Sequence, residues 1–135
     1  MTVARAAVLG ACVLALCACG SSSHKAQAKV VARKSASGRH ASATASFKYR
    51  ILSDASVHVA ATPAQQVKGG WVVSCGTGLF VTTRNSADFA RRTPFDVDIP
   101  TDVTPGPNEQ CELVAVATLA GSGRVTVALR GRQSD

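Results

Sequence analysis

The chain has 135 residues, a formal net charge of +7 and five cysteines, and 46% of its residues are hydrophobic. This length allows one domain of modest size and excludes a multidomain protein. Most of the positive charge precedes residue 46, because from Ser46 onward nine lysines and arginines are balanced by eight acidic residues. That nearly neutral remainder excludes a strongly basic nucleic-acid-binding face, and no nucleic-acid partner is expected.

Residues 1–18 have the pattern of an export signal. Arg5 is the only charged side chain before His24, and Ala6 to Ala18 contains only Ala, Val, Leu, Cys and one Gly. An apolar run of this length is too short to cross a hydrocarbon core, which takes about 20 residues. A charged start, a short apolar middle and a small-residue end are typical of a signal peptide.

The end of this segment, Leu16-Cys17-Ala18-Cys19, resembles the lipobox of bacterial lipoproteins. In that motif a leucine three residues before the modified cysteine and a small residue directly before it are recognised together. The resemblance implies cleavage before Cys19 and a palmitate-type diacylglyceryl group on its thiol. It also implies an extracytoplasmic protein anchored to the cell membrane, because two acyl chains hold firmly where one is marginal. The alternative is an ordinary secretory signal with Cys19 as a spare thiol.

Residues 19–45 are predicted to form the lipidated cysteine and a disordered basic tether. The segment is rich in Ser and Ala and has no aromatic or acidic residue. It therefore offers little apolar surface to offset the entropy of ordering. Its cations can lie on anionic headgroups or wall polymers, or simply keep a spacer solvated. These cations are Lys25, Lys29, Arg33, Lys34 and Arg39.

Residues 46–135 are predicted to form an all-β domain. Apolar and polar residues alternate over 57–61, 95–99 and 125–129, and 111–119 is apolar on both faces except at two positions. Alternation of this kind predicts strands with one buried face. About seven such stretches predict a small immunoglobulin-like β-sandwich, with a small open barrel as the alternative.

Three local features complete this prediction. Gly76-Thr77-Gly78 indicates either a hairpin or a kink in one long strand. Ala120–Gly123 is predicted to fold the last strand back on residues 111–119 as a hairpin. Ser86 to Arg92 is predicted to add a helical turn.

Cys75 and Cys111 remain as an even pair once Cys19 carries lipid. Outside the cytoplasm an even pair indicates a disulfide. A metal site that combines them with His58 is the alternative, but the spacings of known zinc motifs are missing. We therefore predict a disulfide, no metal and no other cofactor.

No catalytic motif is found in the predicted domain. Ser56, His58 and Asp54 lie close in sequence but lack a nucleophile elbow and a glycine-rich oxyanion loop. Asp96, Asp98 and Asp102 lack the spacing of a calcium loop and are predicted to form a solvated face.

We therefore predict a non-catalytic module that binds a protein or cell-envelope polymer, with its oligomeric state open. The proline-stiffened loop Pro100–Gln110 is the expected contact, since a stiff loop loses little entropy on binding. A peptidase inhibitor that uses this loop is the second hypothesis, and an enzyme of unknown type is the third. The candidate surface consists of Trp71, Arg91, Arg92, Pro105, Pro107 and Asn108.

Overall fold

The structure is a computed structural model that describes residues 29–38, 41–100 and 105–133. These residues form eight strands joined by short turns and loops. The strands are β1 (Lys29–Ser37), β2 (Ser42–Tyr49), β3 (Leu52–Thr62), β4 (Gln66–Gly76), β5 (Val81–Arg92), β6 (Phe95–Asp98), β7 (Gln110–Leu119) and β8 (Arg124–Gln133).

The strands form two antiparallel four-stranded sheets that pack face to face. One sheet has the order β1-β8-β3-β6 and the other β2-β7-β4-β5. The predicted all-β sandwich is thus confirmed, with eight strands. Every connection crosses from one sheet to the other except β4–β5, which is a hairpin within one sheet.

The core between the sheets is built mainly from valine, alanine and leucine. Side chains that alternate along β2, β3, β4, β7 and β8 point inward, as expected for sheets with one buried face. Phe89 and Phe95 extend the core at the β5–β6 side, where their rings meet edge to face at 5.3 Å. The largest fully buried side chains are Leu113, Leu129, Val57, Val59, Val67, Val73, Val125, Val127, Cys75 and Cys111.

Strand β2 corrects the predicted domain boundary at residue 46. Ala41, Ala43 and Ala45 are 8%, 1% and 3% exposed and belong to the core, and Tyr49 continues the same buried face. The strand pairs with β7 along its whole length. The prediction of a disordered tether is therefore wrong for residues 41–45, where alternating small residues form a core strand.

Strand β1 extends this correction further toward the N-terminus. It pairs antiparallel with β8, with Lys29 opposite Gly131 and Ser37 opposite Arg124. Ala36 packs against the core, while Arg33 and Lys34 are exposed on the strand. The prediction of disorder is therefore wrong for residues 29–37 as well.

Two local predictions are also wrong. Residues 86–92 belong to the long edge strand β5 and form no helical turn. Residues 120–123 do not close a hairpin, because β7 and β8 lie in different sheets. The hairpin alternative at residues 76–78 is confirmed, since β4 and β5 pair on either side of that turn.

Gly69 allows three strands to approach closely in the second sheet. A Cβ atom there would overlap the carbonyl oxygen of Val116 on β7 and lie 2.9 Å from Cε2 of Phe89 on β5. The Phe89 ring therefore packs over Gly69 in the space that a side chain would occupy, an arrangement that protects a glycine inside a sheet.

Cys75 of β4 and Cys111 of β7 form a disulfide, as predicted. They are direct register partners with Cα atoms 4.0 Å apart, and both are at most 1% exposed. The bridge therefore joins neighbouring strands of one sheet. This differs from the bridge between sheets found in antibody domains.

Replacing both cysteines, as Cys75→Ala/Cys111→Ala, should lower the free energy of unfolding. The bridge spans 36 residues, and loop closure of that length contributes about 3–4 kcal/mol. Urea unfolding of the full chain measures the change, with Ser74→Ala on the same strand as the control. An unchanged unfolding midpoint in the double variant would contradict a stabilising bridge.

Candidate functional site

One end of the sandwich, which we call the hairpin end, gathers three connections. They are the β2–β3 turn at Arg50–Ile51, the β4–β5 turn at 77–80 and the segment 105–109 that leads into β7. Strand register places them together, because Cys111 is opposite both Tyr49 at the end of β2 and Cys75 near the end of β4.

The start of β1 lies at this same end. Lys29 is opposite Gly131 near the end of β8, and Leu52 at the start of β3 is opposite Gln133. The chain therefore enters the sandwich at the hairpin end. The β1–β2, β3–β4, β5–β6 and β7–β8 connections lie at the far end.

An exposed group of large apolar side chains, which we call the apolar tip, projects from the hairpin end. It consists of Leu79, Phe80 and Val81, which are 88%, 79% and 72% exposed. Gly78 adopts a φ of +93°, which lets the chain reverse immediately before them. Adjacent large apolar side chains exposed to this degree mark an interaction surface.

The neighbouring loop is closed by Glu109. The amide of Glu109 donates to the carbonyl oxygen of Gly106 at 3.1 Å. Its carboxylate accepts from the Gly106 amide at 2.7 Å, which completes a turn with Pro107 and Asn108 exposed at its tip. These two hydrogen bonds therefore hold residues 105–109 in one conformation.

Arg84 of β5 attaches this turn to the sheet. Its Nη2 donates to both oxygens of Glu109, at 2.9 and 3.2 Å. The Gly106 amide and, secondarily, the charge and hydrogen bonds of Arg84 lower the pKa of the Glu109 carboxyl. We call this set of bonds the Glu109 clamp.

The clamp should depend on pH through Glu109. A lowered folded-state pKa means that the clamp is complete above about pH 4.3, the usual pKa of glutamate, and is lost as the pH falls through the lowered value. The NMR shift of the Gly106 amide proton should report this titration, and Glu109→Gln should abolish it. Glu112→Gln on β7 is the control, and a titration that survives Glu109→Gln would contradict the clamp.

The candidate surface predicted from the sequence is divided by the fold. Pro105, Pro107 and Asn108 lie at the hairpin end. Arg91 and Arg92 lie opposite the first residues of β4, at the far end of the sandwich. The expectation that these groups form one surface is therefore wrong, because β5 runs the length of the sheet between them.

Trp71 does not belong to the candidate surface either. It is 5% exposed in the middle of β4 and packs in the core. A ring in that position stabilises the sandwich and is unavailable for stacking on a ligand.

The polar groups weighed for catalysis or metal binding lie elsewhere. Nδ1 of His58 is 2.9 Å from Asp96, and Arg130 is 3.8 Å from the same carboxylate, all on solvent-accessible side chains. Cys75 and Cys111 are joined to each other and cannot serve as thiolate ligands with His58. Within the described ranges, no three His, Cys, Asp or Glu side chains are placed to hold a metal ion.

Several predicted features lie outside the described residues. They include the signal peptide 1–18, Cys19, Lys25, Arg39 and Asp102. Among residues 29–38, 41–100 and 105–133, no helix is long and apolar enough to cross a membrane. The chain matches no model of a known protein family and no curated protein.

Proposed function

We propose that the chain is an exported bacterial lipoprotein, held on the cell membrane by lipid on Cys19, that displays a non-catalytic binding module. Its partner would be a protein or a polymer of the cell envelope. The observation that carries the binding role is the Glu109 clamp, which holds an exposed turn in one shape at the hairpin end. A surface ordered before binding loses less entropy when a partner arrives.

The disulfide supports export. Disulfides form and persist in oxidising compartments and are rare in the cytosol. Cys75 and Cys111 are almost fully buried between paired strands, which protects the bridge. The pattern Leu16-Cys17-Ala18-Cys19 adds the anchor, since two acyl chains bury enough methylene groups, at about 0.8 kcal/mol each, to hold a protein on a membrane.

A peptidase inhibitor remains the second hypothesis, because the loop is attached to β5 and adjoins a disulfide-bonded strand. The geometry of the loop favours the binding module over the inhibitor. An inhibitor whose loop adds to the edge of a peptidase's sheet would present extended backbone there, whereas residues 106–109 form a tight turn. Titration of secreted peptidases with the protein separates the two, since an inhibitor would reduce their activity.

Replacing the proposed acceptor, as Cys19→Ser, should release the protein from membranes. The chain would lose the two acyl chains that hold it there. Membrane sedimentation and incorporation of radiolabelled palmitate measure this, with Cys17→Ser as the matched control. If Cys19→Ser chains still incorporate palmitate and sediment with membranes, the anchor assignment is wrong.

Loosening the clamp should weaken binding to envelope fractions. Arg84→Ala removes the charge-assisted hydrogen bonds to both oxygens of Glu109, and because these bonds are solvent-accessible a partial rather than complete loss of binding is expected. Pull-down with the full chain measures the loss. Arg91→Ala, on the same strand at the far end, is the control. Equal retention by both variants would contradict a binding role for the clamped turn.

A further inference from the structure

We propose that the apolar tip, together with Ile51, inserts into the lipid surface on which the chain is anchored. This inference rests on the proposed lipid anchor at Cys19, and it adds a second contact and a fixed orientation to it. The hairpin end would then face the bilayer, with the clamped turn beside the tip at the membrane surface, where it would meet an envelope partner that lies at that surface.

Exposed apolar residues are concentrated at that end. Among the described residues five large hydrophobic side chains are exposed, and four of them lie at the hairpin end: Ile51 at 53% and the three residues of the apolar tip. The fifth, Val116, is only 37% exposed and lies in the middle of β7. The distribution is polarised along the axis of the sandwich.

The start of β1 indicates which end of the sandwich faces the bilayer. Only ten residue steps separate Cys19 from Lys29, so the start of β1 stays within about 35 Å of a lipidated cysteine. Strand β4 alone, with 11 residues, is about 36 Å long. The far end could therefore reach the bilayer only with the linking segment nearly fully extended, whereas the hairpin end, where Lys29 lies, needs no extension.

The charges at the hairpin end permit contact with anionic headgroups. Arg84 pairs with Glu109 at 2.9 Å, and Arg132 pairs with Asp54 at 3.2 Å. Lys48 lines the same small groove as Val81 and Glu112, and Arg50 is exposed in the β2–β3 turn. Because Glu109 and Asp54 each have an arginine beside them, the apolar side chains determine the interaction and the basic groups assist it.

The shape of the apolar tip favours lipid over a protein partner. Three consecutive residues at a hairpin turn offer far less than the roughly 1,000 Å² that a specific protein interface buries. Insertion into a bilayer requires no complementary surface. Each large side chain removed from water raises the partition coefficient from water into the bilayer about tenfold or more.

The test places a tryptophan in the apolar tip of the full chain. Phe80→Trp is reconstituted in phosphatidylglycerol–phosphatidylcholine vesicles with and without brominated acyl chains. Leu79→Trp provides a second variant if the first folds poorly. Ser122→Trp, in the exposed β7–β8 turn at the far end, is the matched control, and Trp71 gives the same buried background in all of them.

Insertion should shift the added emission of Phe80→Trp to the blue and allow brominated chains to quench it, while Ser122→Trp shows neither effect. Emission from both variants that is equally red and equally unquenched on vesicle-bound protein would overturn the proposal. A blue-shifted Phe80→Trp that brominated chains do not quench would also overturn it, in favour of a protein covering the tip.

Failure of the anchor is distinguishable from failure of the tip. If the chain carries no acyl group by mass, the proposed anchor is wrong. Vesicles added to that unacylated chain still test the tip, because quenching of Phe80→Trp supports insertion and its absence overturns it.

Discussion

The structure depends on the pairing of its first two strands with its last two. β1 closes one sheet against β8, and β2 closes the other against β7. The alanines of β2 are small enough for the two sheets to meet closely, so that Leu113 and Leu129 are each only 1% exposed. A chain with few aromatic residues obtains a well-buried core in this way, and the disulfide in the central pair β4–β7 reinforces it.

This pairing also gives the two ends of the sandwich different chemistry. At the far end the side chain of Gln65 accepts from the Gly121 amide at 2.9 Å and donates to the Ser122 carbonyl at 2.8 Å. These two backbone groups of the β7–β8 turn are therefore hydrogen-bonded within the protein. At the hairpin end the Glu109 clamp orders a loop, and the apolar tip remains exposed beside it. The chain enters the sandwich at the hairpin end, and for that reason the proposed anchor and the proposed contact surface lie on the same side of the protein.

Much of the fold could be predicted from the sequence because valine alternates with polar residues in β3, β6 and β8, and the cysteine count indicated the bridge. The first half of β2 could not, because Ala41–Ala45 alternates with Ser and Thr and shows no strong alternation in hydrophobicity, so that it resembles a flexible spacer. The part of β5 after Thr83 could not, because both faces of this edge strand are largely exposed and its sequence shows no period of two.

The candidate surface was harder still to predict. The sequence Gly106-Pro107-Asn108-Glu109 has the composition of a turn, but the pairing of Glu109 with Arg84 depends on strand register. The same register separates Arg91 from this loop. The run Leu79-Phe80-Val81 follows a glycine turn, but nothing local in the sequence shows that all three side chains stay exposed.

Hydrogen–deuterium exchange of the β2 amides in the full chain tests the central claim most directly. If β2 is paired with β7 over the core, the amides of residues 43–47 that bond to β7 should exchange slowly, at rates comparable to those of β7 itself. Exchange of the whole segment at the rate of an unstructured peptide would contradict the account. The N-terminal segment would then be a tether, and the chain would have no defined point of entry into the sandwich.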